Sequence, residues 1–397
     1  MMKHTRLIGC ALALLALAAL LPSTSSAVPV FARKYGFTCT MCHTAFPQLN
    51  DFGSRYRDNG YQLPGREGEE RTVLEGPAPL AMRTSAGYTY TTFENVLDGE
   101  EVSQFQLNGL DLLSAGLLGA GIGYLAVYTP EIAAMRGTEG QTGSLEMASV
   151  VFSNLASPWL SLRVGRFEPA YVAASVKRRL TFSPYEIYEY AGGGIAFSET
   201  QSGIELSGRG GAFRYAAGYV DGAESNNADD GPGDAYARAA MVFGPGEGQT
   251  VGQRVGIVGY FGKARPMVLT PEDEDCRRSF QRFGVDVSLN FAQVHFAGQY
   301  LLGRDDREFW HFEEDADFSG GFAEVNYAPL VSLIGFARYD WVSGPEEIDT
   351  DITRITAGLR YYFVDQLAAH LEYSKWEKEW TVDSEEEFVA ARLDFAF

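Results

Sequence analysis

Asp351-Ile352-Thr353-Arg354-Ile355-Thr356-Ala357-Gly358-Leu359-Arg360-Tyr361-Tyr362-Phe363-Val364-Asp365-Gln366-Leu367-Ala368-Ala369-His370-Leu371-Glu372-Tyr373 reads as two strands joined by a tight turn at Val364-Asp365. Ile355, Ala357, Leu359, Tyr361 and Phe363 share one face. Arg354, Thr356, Gly358, Arg360 and Tyr362 share the other, which is the period-2 pattern of a half-buried strand. The end of the chain repeats the pattern, with Val389, Ala391, Leu393, Phe395 and Phe397 set against Ala390, Arg392, Asp394 and Ala396.

Working outward, sixteen such runs fill the chain from about residue 78: 80–92, 103–115, 120–129, 144–154, 159–167, 200–208, 212–221, 234–243, 252–263, 281–290, 293–303, 317–327, 332–342, 351–363, 366–380 and 386–397. Their connections alternate in length. Those after the second, fourth, sixth and later even strands are short, with one longer Gly-Pro turn at 244–251. Those after odd strands are mostly long, and 168–199 exceeds thirty residues. Short turns at one end and long loops at the other are the signature of an outer-membrane barrel, and an even strand number puts both termini on the side of the short turns, the periplasm.

A soluble barrel would turn its charged face outward. In lipid the charges must line the lumen, because a charge at the bilayer midplane costs about 2–4 kcal/mol. Tyr88, Tyr90, Tyr327, Tyr339, Trp341 and Phe363 lie near strand ends as interfacial girdles do, and the terminal Phe397 resembles the insertion signal of outer-membrane proteins. Closure also removes exposed edges and satisfies every backbone group. The fold class expected is therefore mostly β: an outer-membrane barrel of about sixteen antiparallel strands over residues 78–397, preceded by a small helical segment. Outer-membrane lipid is its surroundings; nothing points to nucleic acid.

Residues 1–27 read as a signal peptide. Lys3 and Arg6 precede the apolar run Leu7–Leu21, which is short for a membrane span, and Ser25-Ser26-Ala27 supplies small residues for cleavage. Cys10 is no lipoprotein site, because the apolar run follows it.

Cys39-Thr40-Met41-Cys42-His43 is a C-x-x-C-H pentapeptide, the attachment site of a c-type haem. Two thiols at this spacing reach the two vinyl groups, and His43 then lies under the iron as proximal ligand. A zinc reading lacks a second C-x-x-C or H-x-x-x-H. Cys276, within the acidic stretch Glu272–Cys276, is left as an unpaired thiol. Residues 28–77 form a unit of their own. Pro47 suits the first turn of a helix ending near Gly60, which would place Leu49, Phe52 and Tyr56 on one face, with Phe31 and Tyr35 before the motif. So short a segment cannot build its own core, and the haem or an enclosing barrel must supply the missing contacts. Residues 64–77 read as a linker.

The order Phe31-Ala32-Arg33-Lys34-Tyr35-Gly36, Cys39-x-x-Cys42-His43, Phe46-Pro47-x-Leu49-Asn50-x-Phe52-Gly53 and Asn59-Gly60-Tyr61 resembles the fused monohaem cytochrome–porins of outer membranes, among them iron(II) oxidases. The resemblance is specific over 29–63 and architectural over the barrel. It implies one covalent haem c held by Cys39, Cys42 and His43. It also implies electron transfer between an extracellular donor, Fe(II) for the best-known members, and a periplasmic cytochrome or other carrier. An iron(II):cytochrome oxidoreductase would be the corresponding enzyme class; no catalytic side chain is singled out. The alternatives are a haem-bearing porin for small solutes and an outward path to an extracellular acceptor.

Parity places Arg83, Arg163, Arg214, Arg238, Arg254, Arg338, Arg354, Arg360 and Arg392 in the lumen with Glu146, Glu205, Asp286, Glu324, Asp340, Glu372 and Asp394. Most belong to an ordinary charged lumen; a few arginines suit the haem propionates. The net charge of −20 then falls on long loops such as 98–101, 272–275, 313–315 and 345–347. Such loops attract cations, Fe²⁺ included, although acidic, solvated loops are also ordinary for outer-membrane proteins. The loop with Lys177-Arg178-Arg179, Tyr185, Tyr188 and Tyr190 stands apart as basic and aromatic, fit to fold inward as a constriction. No sixth haem ligand is evident. Met82 is on the lipid parity. His295 and His370 are inward candidates near short turns, and water, a backbone group or an open position are the other occupants.

Overall fold

The computed structural model describes residues 30–38, 41–45, 48–63, 65–66, 69–73, 75, 80–94, 101–130, 143–157, 159–190, 197, 200–222, 233–244, 253–264, 278–306, 315–346, 350–379 and 383–396. The signal-peptide reading, Cys39, Pro47, Cys276, Phe397 and most of the acidic loop tips lie outside these residues.

A helix α1 (Val30–Tyr35), a short hairpin of β1 (His43–Ala45) and β2 (Gln48–Leu49), and a helix α2 (Asp51–Asp58) precede the barrel. Sixteen strands follow: β3 (Leu80–Glu94), β4 (Glu101–Gly119), β5 (Ile122–Thr129), β6 (Ser144–Phe152), β7 (Ser161–Phe167), β8 (Gln201–Gly210), β9 (Phe213–Val220), β10 (Asp234–Phe243), β11 (Gln253–Ala264), β12 (Arg278–Phe291), β13 (Val294–Asp305), β14 (Ala316–Leu330), β15 (Leu333–Ser343), β16 (Asp351–Val364), β17 (Leu367–Glu379) and β18 (Ser384–Ala396). Each pairs antiparallel with its sequence neighbours, and β18 closes onto β3. All sixteen sequence-read runs are strands, displaced by a few residues at their ends.

The faces follow from the pleat. On β16, Ile355 and Leu359 are 57% and 47% exposed on the outer wall, whereas Thr356 and Arg360 are buried inside. Trp159, Phe213, Phe243, Phe291 and Tyr327 stand exposed near the short-turn ends and form an aromatic girdle there. Inside, each of the nine arginines placed by parity has a carboxylate partner. Asp286 bridges Arg238 and Arg254, Asp394 bridges Arg360 and Arg392, and Glu205 takes Arg163. Arg83 pairs with Asp111, Arg338 with Asp340, Arg214 with Asp51 of α2, and Arg354 with Glu186 of the long β7–β8 connection.

That connection folds into the lumen, with one helical turn, α3 (Glu186–Glu189). Tyr171, Val172, Val176, Tyr185, Ile187 and Tyr188 pack into a single apolar cluster with the wall residues Tyr236, Tyr260, Phe318 and Phe322. Arg338 pins the loop by donating to Thr181 Oγ1 at 2.6 Å and to the Ser183 carbonyl at 3.0 Å, while its guanidinium stacks 4.4 Å from the Tyr185 ring. The constriction is thus a packed core across the barrel.

One expectation is corrected. The helix before Gly60 does not begin at Pro47: Gln48–Leu49 pair as β2, and α2 starts at Asp51. Asn50 is the cap, its Oδ1 accepting from the Gly53 amide at 2.8 Å, and the extended pairing of Gln48–Leu49 with His43–Ala45 keeps the helix from starting earlier.

Candidate functional site

The segment 41–63 is built around its cap. Asn50 donates its side-chain amide to the Met41 carbonyl at 3.0 Å and its backbone amide to the Cys42 carbonyl at 2.9 Å. The start of α2 is thereby fastened to the end of the pentapeptide. Gly53 is required there, because a Cβ would land on the Cys42 carbonyl group. Past the hairpin turn, the Gln48 carbonyl lies 3.2 Å from His43 Nδ1. That bond holds the proton on Nδ1 and makes Nε2 the lone-pair nitrogen, the arrangement of an imidazole oriented for a metal. Burial pushes the Cys42 thiol up to about 11, so in the docked chain it keeps its proton at neutral pH.

Cys42 and His43 open on a cavity between this segment and the wall of β3–β6, an empty space of 1460 Å³ with its open mouth included. One side is aromatic. Phe31 packs edge-on to Tyr56 at 5.0 Å and stacks on Tyr61 at 5.3 Å, and Phe37 meets Phe52 at 6.3 Å. Tyr61 holds a left-handed backbone (φ 64°), which a side chain of this size adopts only when packing overrides the strain, here the Phe31 stack. The opposite side is the inner wall, with Leu113, Ala115, Leu125, Val127 and Met147. Arg57, Arg83, Lys177 and Arg178 add cations around it. A flat apolar group with anionic arms fits this lining: aliphatic and aromatic faces, a thiol and an oriented imidazole at one edge, and guanidinium groups suited to carboxylates.

The segment enters the barrel at the short-turn end. Gly60, in a left-handed conformation (φ +66°), lies so close to Gly123 of β5 that a Cβ on Gly123 would strike the Gly60 backbone. Gln62 Nε2 donates to Ser153 Oγ at 2.9 Å, and Asn154 Nδ2 to Asn59 Oδ1 at 2.7 Å. On the far wall Glu324 of β14 accepts from Gln48 Nε2 at 2.6 Å and from the Tyr185 hydroxyl at 3.3 Å. One buried carboxylate therefore links the β1–β2 hairpin to the β7–β8 loop.

Of the residues singled out in the sequence, the structure brings Cys42 and His43 to the cavity with Leu49, Phe52 and Tyr56. Cys39 lies outside the described residues. His295 and His370 do not line this cavity. His295 Nε2 lies 3.0 Å from Ser288 Oγ at another part of the lumen, and His370 is fully buried, its Nε2 3.0 Å from Glu372 and its ring stacked on Phe336. Met82 also borders the space, but it pairs with the outward-facing Leu112 and shares its face. Strict alternation, with Glu146 inward, sets Met147 outward; the register shift where β6 passes Val127 and Tyr128 turns Met147 inward as well, and the sequence carries no signal for it.

No protein-family model matches the chain, and no curated protein matches it in sequence. Solved structures with the same fold are numerous. The chain is similar to an anion-selective porin from Comamonas acidovorans (TM-score 0.58, 15% identity, 81% of this chain and 100% of that one covered). It is also similar to the outer-membrane channel DcaP of Acinetobacter baumannii (TM-score 0.56, 9% identity, 81% and 97% covered). Salmonella typhi OmpF, in a complex with daunomycin, gives a TM-score of 0.53 at 11% identity, with 80% and 97% covered. The barrel has the sixteen-strand fold of outer-membrane porins.

Proposed function

We propose that this chain is an outer-membrane electron conduit. In this reading it carries one covalent haem c at the short-turn, periplasmic mouth of its barrel and passes electrons between an extracellular donor, Fe(II) by chemistry, and a periplasmic carrier. The single observation that carries the reading is His43, oriented through Nδ1 by the Gln48 carbonyl and facing, beside Cys42, an apolar cavity with cations around it. When bound, the haem supplies reversible one-electron exchange. Cys39 and Cys42 hold it as thioethers and His43 binds the iron. Arg57, Arg83, Lys177 and Arg178 hold the propionates, and the aromatic wall excludes water. Fe(II) gives up one electron outside and the periplasmic carrier gains it.

Two further features support this reading. The hydrocarbon layer is about 25–30 Å thick, so a haem docked inside the lumen shortens the path from both faces. The net charge of −20 is not in the lumen, where the arginines are matched by carboxylates. The acidic connections therefore draw cations toward the long-loop end.

A solute channel is the second reading, favoured by the porin fold itself and by a lumen cavity lined by Arg163, Arg214, Arg238 and Arg254. The apolar packing of the β7–β8 loop across the barrel weighs against wide solute passage. Liposomes carrying the protein with long loops outward separate the two. The conduit should reduce a trapped carrier with external Fe²⁺ and admit sugars slowly. Fast sugar flux without carrier reduction would establish the channel instead.

A further inference from the structure

The inner wall of the barrel is mostly a ladder of ion pairs, yet over β4–β6 it turns apolar, with Leu113, Ala115, Leu117, Leu125, Val127 and Met147. This patch faces the haem-motif segment, and its one atom able to coordinate a metal is the Met147 sulfur. Met147 pairs across from Val127 on the inward face and is only 6% exposed. It borders the same cavity as His43. The other described methionines are placed differently. Met41 sits within the pentapeptide and is exposed, Met82 shares its face with outward Leu112, and Met241 is on the outer wall. Neither His295 nor His370 reaches this cavity.

We infer that the Met147 thioether is the sixth ligand of the haem iron, so that the barrel wall completes a coordination shell begun by the N-terminal segment. The inference rests on the electron-conduit reading. Its physical content is a soft sulfur donor, which suits iron opposite an imidazole and raises the reduction potential. Ligation would also fasten the segment into the lumen, coupling docking to the state of the iron.

Methionine is equally a filler of irregular apolar gaps, so the variant chosen is Met147→Leu, which conserves volume. The full-length protein is purified with its haem, and covalent attachment is checked on a denaturing gel. The ferric wild type should be low-spin and show the far-red sulfur-to-iron charge-transfer band. Met147→Leu should keep its haem, lose that band, turn high-spin and bind carbon monoxide when reduced. Met147→His should restore a low-spin iron without the band and at a lower midpoint potential, whereas Met82→Leu should leave the spectrum unchanged. A band that survives in Met147→Leu overturns the inference. So does a wild type with covalent haem and no band, which settles the matter even if the variants do not fold. A wild type without covalent haem defeats the conduit reading itself, and is recognised on the gel before any spectrum is taken.

Discussion

Replacing Gly123 with alanine should lift the N-terminal segment off the barrel wall while leaving the barrel closed. The added Cβ would sit 2.6 Å from the Gly60 carbonyl carbon and 2.9 Å from its Cα, on backbone that has no rotamer through which to escape. Overpacking of this kind costs about 1–3 kcal/mol. A segment pushed away also loses the Gln62–Ser153 and Asn154–Asn59 bonds, at about 0.5–1.5 kcal/mol each. The docked state is therefore disfavoured by roughly 2–6 kcal/mol, which is roughly thirtyfold or more in its population, at about 1.4 kcal/mol per factor of ten. Hydrogen exchange over residues 51–63 is the assay, with heat-modifiable migration as the control for an intact barrel. Gly119→Ala serves as companion variant. It lies at the same turn, but its Cβ would meet only Ile122 Cδ1, at 3.8 Å, so protection should stay as in the wild type. Unchanged protection in Gly123→Ala, with the barrel folded, would refute the docking argument.

Three other outcomes follow from the same contacts. Arg338→Met leaves Asp340 as an uncompensated buried charge and frees Thr181 and Ser183; a loss of about 3–5 kcal/mol should loosen the loop and raise single-channel conductance in planar bilayers. Burial alone would push the Glu168 carboxyl up, but Arg178, the Ser175 hydroxyl, Arg57 and the Lys177 amide outweigh it and hold it below 4.5. Its folded-state pKa being depressed, its stabilisation is complete above 4.5 and lost only as pH falls through the lower value, so conductance should rise in stronger acid and Glu168→Gln should already be leaky at neutral pH. An epitope inserted at 274, in the long β11–β12 connection, should be reached by antibody on intact cells, and one at 365, in the β16–β17 turn, should not; the reverse pattern would invert the barrel and, with it, the proposed direction of the conduit.

The sixteen strands, their faces and the sorting of their connections were legible in the sequence because each rests on short-range facts: a period of two, turn residues, and the cost of a charge in lipid. The C-x-x-C-H pattern is visible for the same reason, since Cys39, Cys42 and His43 are neighbours in the chain, and the haem it is proposed to hold is a reading of that pattern. Asn50 stood in plain view yet was not read as the cap, because Pro47 sends an equally strong local signal and only the pairing of Gln48–Leu49 decides between them. What lies inside the barrel needed the tertiary structure. Parity says that a residue points inward, but not at what depth or toward which neighbour. Parity could not tell that Met147 comes to the cavity of His43 while His295 and His370 do not, that Glu324 joins Gln48 to Tyr185, or that Gly60 rests on Gly123. Each of these is a contact between distant parts of the chain, chosen by how the segment and the β7–β8 loop share one lumen.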